Sequence, residues 1–275
     1  MDPTIQALVM GIVQGITEFL PISSSGHLLL VPWLFGWDDR FITSLAFTVA
    51  LHIATLGALL VYFAADWVRL IRAGVSSLRQ RRIGNDPDRR LAWVLVVAVI
   101  PAGLIGAFLA DPVEEATRRP AIVAVALVVG AGILWFADRI GRRERGLEAV
   151  GFGGAVAIGL AQAAALVPGI SRSGITISAG LLLGLDREAA ARFSFLLAAP
   201  TIAGAGLFEA YRLLRGAETT QAEPVALLVG VAAALVTGLL TIHLLLAWLR
   251  RRGLGVFVAY RLALAALVLV LLLRV

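Results

Sequence analysis

The chain has 275 residues, of which 60% are hydrophobic and 15% charged, with a mean hydropathy of +0.91; this excludes an ordinary water-soluble domain. The net charge of +6 is carried by Arg without any Lys, in short clusters between apolar runs, which suits loops facing anionic headgroups and excludes a nucleic-acid surface. With no Cys, disulfides, thiolate metal ligands and a Cys nucleophile are excluded, while the compartment stays undetermined.

From the N-terminus, residues 3–35 are apolar but broken midway by Pro, Gly and Ser. The stretch lacks a basic n-region, and Gln14, Glu18 and Pro21 interrupt it, so it reads as mature structure and not as a signal peptide. Runs near 41–65, 91–110 and 120–138 follow, each supplying the ~20 apolar residues that a helix needs to cross a hydrocarbon core ~30 Å thick. A second broken region covers roughly 148–184, and runs near 187–210, 224–249 and 254–273 complete six expected spans. A broken helix at membrane depth is tolerated where its freed backbone groups face protein or water, which predicts a re-entrant helix pair in each broken region.

The two broken regions match in register. Gly11 and Gly159, Gln14 and Gln162, Ile22 and Ile170, Ser23 and Ser171, Ser25 and Ser173, and Gly26 and Gly174 all share an offset of 148, as an internal duplication would give. The expected fold is all-α: one integral-membrane domain over 1–275, with repeat 1 at about 1–140 and repeat 2 at about 147–275. Each repeat holds a re-entrant pair and three spans, and the odd number of spans gives the halves inverted topology. Interrupted helices of such repeats meet near the midplane and build the functional site there.

Orientation follows from Arg in short loops. The loop after the first span holds Arg69, Arg72, Arg79, Arg81, Arg82, Arg89 and Arg90 and is expected inside, with the loops at 139–145 and 250–252. The acid-containing loops at 111–119 and 216–223, and both termini, then fall outside. Trp33, Trp37, Trp67, Trp135 and Trp248 lie near span or hairpin ends, where interfacial aromatics belong.

The chemistry lies in the broken regions. Gln14 and Glu18 share a helix face at i, i+4, and an ionisable group at membrane depth costs ~2.5–3.5 kcal/mol, so Glu18 is expected to have a function or a partner. Beyond Pro21, Ser23, Ser24, Ser25 and Gly26 gather hydroxyls and free N–H groups at a helix N-terminus, which suits either an anion site or simple capping. His27 follows in the first turn, where it could relay a proton or orient a hydroxyl. The second region reads Pro168, Gly169, Ile170, Ser171, Arg172, Ser173, Gly174, Ile175 and Thr176, placing one Arg between two apolar helices. Arg172 suits phosphate recognition, and equally headgroup snorkelling or an ion pair with Glu18. Inverted symmetry favours the first, because it brings both turns together as a carboxylate, a His, several hydroxyls and an Arg, an inventory for phosphoryl transfer.

These two motifs, Gln/Glu-x-x-x-Glu with Pro-x-Ser-Ser-x-Gly-His and then Pro-Gly-x-Ser-Arg-Ser-x-x-Thr, resemble those of the undecaprenyl-diphosphate phosphatase family, the bacitracin-resistance proteins. The span pattern matches over essentially the whole chain. The resemblance implies an enzyme of the bacterial plasma membrane that hydrolyses undecaprenyl diphosphate to the monophosphate and inorganic phosphate, recycling the lipid carrier of cell-wall synthesis. It implies Glu18, Ser24, His27 and Arg172 as catalytic residues, with Gln14, Ser23, Ser25, Ser171, Ser173 and Thr176 around the substrate. Arg172 and the helix N-termini would hold the diphosphate, Ser24 or an activated water would attack, His27 would handle the proton, and Glu18 would orient His27 or bind the cation. The active site would be extracytoplasmic, the prenyl tail would leave sideways into lipid, and the cofactor would be a divalent cation, Mg2+ or Ca2+. The family's acidic pair is Gln14 and Glu18 here, so one carboxylate remains for the metal.

The competing class is a secondary transporter or lipid flippase, which also uses inverted repeats and broken helices. It would need no nucleophile beside Arg. His52 and His243, in apolar spans, read as packing or helix–helix hydrogen-bonding residues outside the site. The small-residue stretches at Gly151–Gly159 and Ala203–Gly206 permit close helix packing within one subunit or in a homodimer.

Overall fold

The computed structural model describes residues 1–214 and 223–274, and within them the ordered elements are helices, with no strand. In chain order these are α1 (Pro3–Thr17), α2 (Ser24–Phe35), α3 (Leu45–Tyr62), α4 (Ala64–Gln80), α5 (Pro87–Thr117), α6 (Pro120–Ile140), α7 (Phe152–Ala163), α8 (Arg172–Leu182), α9 (Arg187–Leu214), α10 (Pro224–Leu249) and α11 (Gly255–Leu272). Six of them, α3, α5, α6, α9, α10 and α11, are long and apolar enough to cross a membrane. They coincide with the six expected spans, and the molecule is a multi-pass membrane protein. Most of the expected loop at 216–223 lies outside the described residues.

The helices of the broken regions are short. At 1.5 Å per residue, α1 with 15 residues and α2 with 12 reach about 22 and 18 Å, well under a bilayer core. Asp2 caps α1 by accepting the Thr4 N–H at 2.7 Å, and Pro3 fits the first turn, where no N–H partner is needed. Pro21 lacks the N–H that would continue the ladder and disfavours α geometry at Leu20, so the chain turns there. Helices α7 and α8, of 12 and 11 residues, repeat this plan around Pro168.

Two glycines matched by the repeat, Gly11 and Gly159, are points of close helix approach. Helix α1 packs on α10, and a Cβ at Gly11 would stand 2.3 Å from the Gly230 carbonyl oxygen. Helix α7 packs on α5, and a Cβ at Gly159 would stand 2.3 Å from the Ala98 carbonyl oxygen. Each short helix thus leans on a span from the other half of the chain, and α6 packs on α11 between them. Such contacts supply the dispersion that holds helices together in lipid, where the hydrophobic effect gives little. Gly204 and Gly206 have open space around them, so the second small-residue stretch is not used within the subunit.

One element departs from the sequence reading. The Arg-rich segment after the first span contains helix α4, whose Val68, Ile71, Val75 and Leu78 form an exposed apolar stripe at helical spacing. Its other face is held by the Trp93 indole N–H on Ser77 Oγ at 2.7 Å and by Arg192 on Asp66 at 2.7 Å. Averaged hydropathy hides such a helix, because its charges and its apolar residues cancel.

Candidate active site

Ser23 and Ser171 have nearly the same backbone, φ 79° and ψ 96° against φ 77° and ψ 114°. Positive φ is uncommon for a residue with a side chain and marks a constrained turn. Each serine caps the helix that follows: Ser23 Oγ accepts the Gly26 N–H at 3.3 Å and Ser171 Oγ accepts the Gly174 N–H at 3.1 Å. The hydroxyl pairs repeat as well, Ser23 with Ser25 at 3.4 Å and Ser171 with Ser173 at 3.2 Å.

The two turns meet. Ser23 Oγ also accepts the Gly169 N–H at 3.1 Å, and Ser173 Oγ donates to the Leu20 carbonyl at 2.9 Å. Across the junction lies Arg261 of α11, wholly buried. Its guanidinium donates to Pro21 O at 3.1 Å in the first turn, to Gly169 O at 2.8 Å and Ile170 O at 2.9 Å in the second, and to Leu127 O of α6 at 3.2 Å. Five donors in a rigid fork can satisfy several carbonyls that a broken helix leaves without partners.

The convergence gathers Gln14, Glu18, Ser24 and Arg172 around one buried carboxylate. Glu18 Oε1 accepts from Arg172 Nη2 at 2.6 Å, while Oε2 accepts from Ser24 Oγ at 2.6 Å and from Gln14 Nε2 at 3.0 Å. Arg172 is held from behind by the Ser194 carbonyl at 3.3 Å, and Thr176 Oγ1 lies 2.7 Å from Ser194 Oγ, so Thr176 supports the Arg172 helix and does not face Glu18. Ser24 and Ser25 are the more open hydroxyls of the first turn, whereas Ser23, Ser171 and Ser173 are buried in the junction.

His27 sits differently from the expectation that Glu18 orients it. Its Nδ1 is 2.7 Å from the Ser23 carbonyl and its Nε2 is 2.7 Å from the Tyr260 hydroxyl, with the two rings stacked at 5.6 Å. A carbonyl only accepts, so Nδ1 carries the hydrogen and the neutral ring's Nε2 accepts from Tyr260. Neither nitrogen hydrogen-bonds Glu18 or Ser24; His27 braces the turn. Beside the carboxylate instead is His52 of α3, with Nε2 at 3.7 Å from Glu18 Oε2.

Sequence reasoning missed Tyr260 and Arg261 and set His52 aside. A signal for Arg261 was present: it is a lone charge inside an otherwise apolar final span, and an intramembrane charge is by default a functional candidate.

The described residues contain no group of three His, Cys, Asp or Glu that could hold a metal, so a site made of protein ligands alone does not fit. Gln14 Oε1, however, is buried without a hydrogen-bond partner next to Glu18. One carboxylate and one amide oxygen suit a hard cation that completes its coordination with phosphate oxygens and water.

The family model for bacitracin resistance protein BacA matches residues 7–267. Among curated proteins, the chain is 49% identical to the undecaprenyl-diphosphatase of Rubrobacter xylanophilus and 47% identical to that of Desulforudis audaxviator, each match covering 98% of both chains. It is 46% identical to the undecaprenyl-diphosphatase of Thermomicrobium roseum over 96% of both.

Proposed function

Because the chain belongs to the BacA family of bacitracin resistance proteins, we propose that its two joined turns remove the terminal phosphate of undecaprenyl diphosphate, the activity for which its relatives are named. The chain is an undecaprenyl-diphosphatase, and the transporter reading draws no support from its relatives. The observation that carries the site is the pair of contacts on Glu18: a serine hydroxyl on one oxygen at 2.6 Å and an Arg on the other at 2.6 Å. A nucleophile within reach of a base, beside a fixed cation, is what attack on a phosphate requires.

In this reading Ser24 Oγ attacks the terminal phosphorus as Glu18 takes its proton. The bond from that phosphorus to the bridging oxygen breaks, and undecaprenyl phosphate leaves. Water then releases phosphate from Ser24. The phosphate is held by Arg172 and by the N-terminal ends of α2 and α8, whose dipoles and free N–H groups favour anions. Ser25 and the buried hydroxyls Ser23, Ser171 and Ser173 shape the turns around it, Thr176 supports Arg172, and His27 supports the Ser23 carbonyl. Glu18 and Gln14 Oε1 would hold a divalent cation, Mg2+ or Ca2+, which when bound neutralises charge on the diphosphate.

The reading places the enzyme in the bacterial plasma membrane, with the Arg-bearing segments 69–90, 139–145 and 250–252 inside and both ends of the chain outside. The matched turns and reciprocal helix packing support two repeats of inverted topology, with the α1–α2 pair entering from outside and α7–α8 from inside. The site then serves lipid presented at the outer face, with the prenyl tail leaving between helices. For a homodimer, the open face at Gly204 and Gly206 is the available small-residue surface.

Phosphate release from detergent-solubilised protein, given a long-chain prenyl diphosphate and Mg2+, tests the function. Glu18→Ala, Ser24→Ala and Arg172→Ala each lower release by at least ~100-fold, and His27→Ala lowers it less, through the loosened turn. No release from well-folded wild type across cations and pH would overturn the reading.

A further inference from the structure

Helix α4 takes no part in the site described above, and packing within the chain leaves most of its surface uncovered. Wound at 3.6 residues per turn, it has three faces. Leu70, Gly74 and Ser77 form the face turned to the protein, buried or half-buried. Val68, Ile71, Val75 and Leu78, between 43% and 62% exposed, make an apolar stripe about 120° round from it. Arg69, Arg72 and Arg79 line the third face about 90° further round, and Arg81 and Arg82 follow at the C-terminal end. Arg69 is paired with Asp66 and Asp88. Arg72, Arg79, Arg81 and Arg82 are exposed and pair with no carboxylate among the described residues.

The neighbours of α4 fix its level. One residue, Phe63, separates it from the span α3, and the backbone there (φ −100°, ψ 25°) leaves the helical region, so α4 is not a prolongation of that span. With 17 residues that include Asp66, Arg69, Arg72 and Arg79, α4 is not among the helices able to cross a membrane. Its polar contacts with the next span, α5, are Arg69 on Asp88 at 3.0 Å, Arg89 on Ser76 Oγ at 3.0 Å and Trp93 on Ser77 Oγ at 2.7 Å. All fall on the first two turns of α5. Helix α4 therefore lies where one span ends and the next begins, at the boundary between hydrocarbon and headgroups.

We propose that α4 is an interfacial helix that docks on the anionic phospholipid of the surrounding membrane. Val68, Ile71, Val75 and Leu78 enter the acyl boundary, and Arg72, Arg79, Arg81 and Arg82 bind lipid phosphates. An exposed contiguous aliphatic stripe is costly in water and marks a contact surface, and this one adjoins two span ends. With the stripe facing acyl chains, the Arg face points sideways at headgroup level, where guanidinium forks match phosphate. The unpaired charges beside the stripe are all positive, the complement of an anionic leaflet.

The chain has no Cys, so single nitroxide labels can be placed through Ile71→Cys, Val75→Cys and, on the basic side, Gln80→Cys. Each full-length protein, checked to elute as wild type does, is put into nanodiscs of phosphatidylcholine with and without phosphatidylglycerol. Labels at 71 and 75 are expected to relax several-fold more with oxygen, which concentrates in lipid, than with a water-soluble nickel chelate; the label at 80 shows the reverse. Nickel access exceeding oxygen access at 71 and 75 would place the stripe in water and overturn the proposal. Shielding from both reagents would put protein over the stripe, a second copy of this chain included, and overturn it equally. The anionic preference is read by amide hydrogen exchange across 64–80, which phosphatidylglycerol is expected to slow in wild type by about fivefold or more, the factor that a single basic residue near an anionic surface supplies. A variant combining Arg72→Gln, Arg79→Gln, Arg81→Gln and Arg82→Gln is expected to lose that slowing. Wild-type exchange indifferent to phosphatidylglycerol would overturn the assignment of anionic lipid. Neither readout depends on phosphate release, so both stand apart from the test of the phosphatase.

Discussion

Ser23 accepts the backbone N–H of Gly169 at 3.1 Å, one hydroxyl joining two turns that lie 146 residues apart in the chain. The same oxygen caps α2 through Gly26. Ser23→Ala leaves the buried Gly169 N–H without its acceptor, a loss of about 1–3 kcal/mol. Ser23→Gly loses the same hydroxyl but fits the positive φ at no steric cost. Thermal unfolding in detergent is expected to rank wild type above Ser23→Gly and Ser23→Gly above Ser23→Ala. The reverse order of the two variants would show that strain at this φ is unimportant.

Arg261 serves both turns and α6 at once. Arg261→Met removes every donor and leaves buried carbonyls unsatisfied, at a cost of at least ~2 kcal/mol. Arg261→Lys is not conservative here, because one ammonium cannot spread over carbonyls arranged for a planar fork. Both variants are expected to lose more than ~10-fold in kcat/KM while the protein remains in the membrane fraction. Full activity in Arg261→Lys would mean that charge, not the fork, holds the junction.

The paired glycines give a symmetric prediction. Gly11→Ala drives a methyl into the Gly230 carbonyl and Gly159→Ala drives one into the Ala98 carbonyl, both backbone atoms that cannot swing aside. Each is expected to destabilise by about 1–3 kcal/mol, despite the better helix propensity of Ala. Gly204→Ala, with nothing within 4 Å of the new methyl, is expected to change stability by less than ~0.5 kcal/mol. Chemical unfolding of the three variants side by side checks the contrast.

Gln14 shares with Glu18 the place proposed for the cation. Gln14→Glu would set two carboxylates together at Glu18, replacing a 3.0 Å hydrogen bond by repulsion that a divalent cation relieves. Without added cation the variant should be less active than wild type. Its half-saturating Mg2+ concentration in the phosphate-release assay should fall by about tenfold. An unchanged Mg2+ requirement would place the cation away from this pair.

Much of this architecture was legible from residue patterns. Long apolar runs give the six spans because lipid demands internally bonded helices of fixed length. The repeated spacing from Gly11 to Gly26 and from Gly159 to Gly174 marks both turns in the sequence itself. What stayed hidden was direction. His52 and His27 look alike as single imidazoles in apolar surroundings, yet one faces Glu18 and the other Tyr260, and that depends on how α3 and α11 rotate against the turns. Arg261 lies only six residues into its helix, a position equally suited to reaching outward to headgroups. Helix α4 was hidden by its own balance of Arg and aliphatic residues.

The exchange of partners between α1 and α10 and between α7 and α5 bears on how the chain matures. Helix α1 leaves the ribosome early, but α10 begins only at residue 224, so its docking face waits through most of synthesis. Contacts this distant in sequence form late and slowly. Neither half can complete its own turn, because Ser23 needs Gly169 and Pro21 needs Arg261. The proposed site is therefore completed only when the second half of the chain, through α11, is in place.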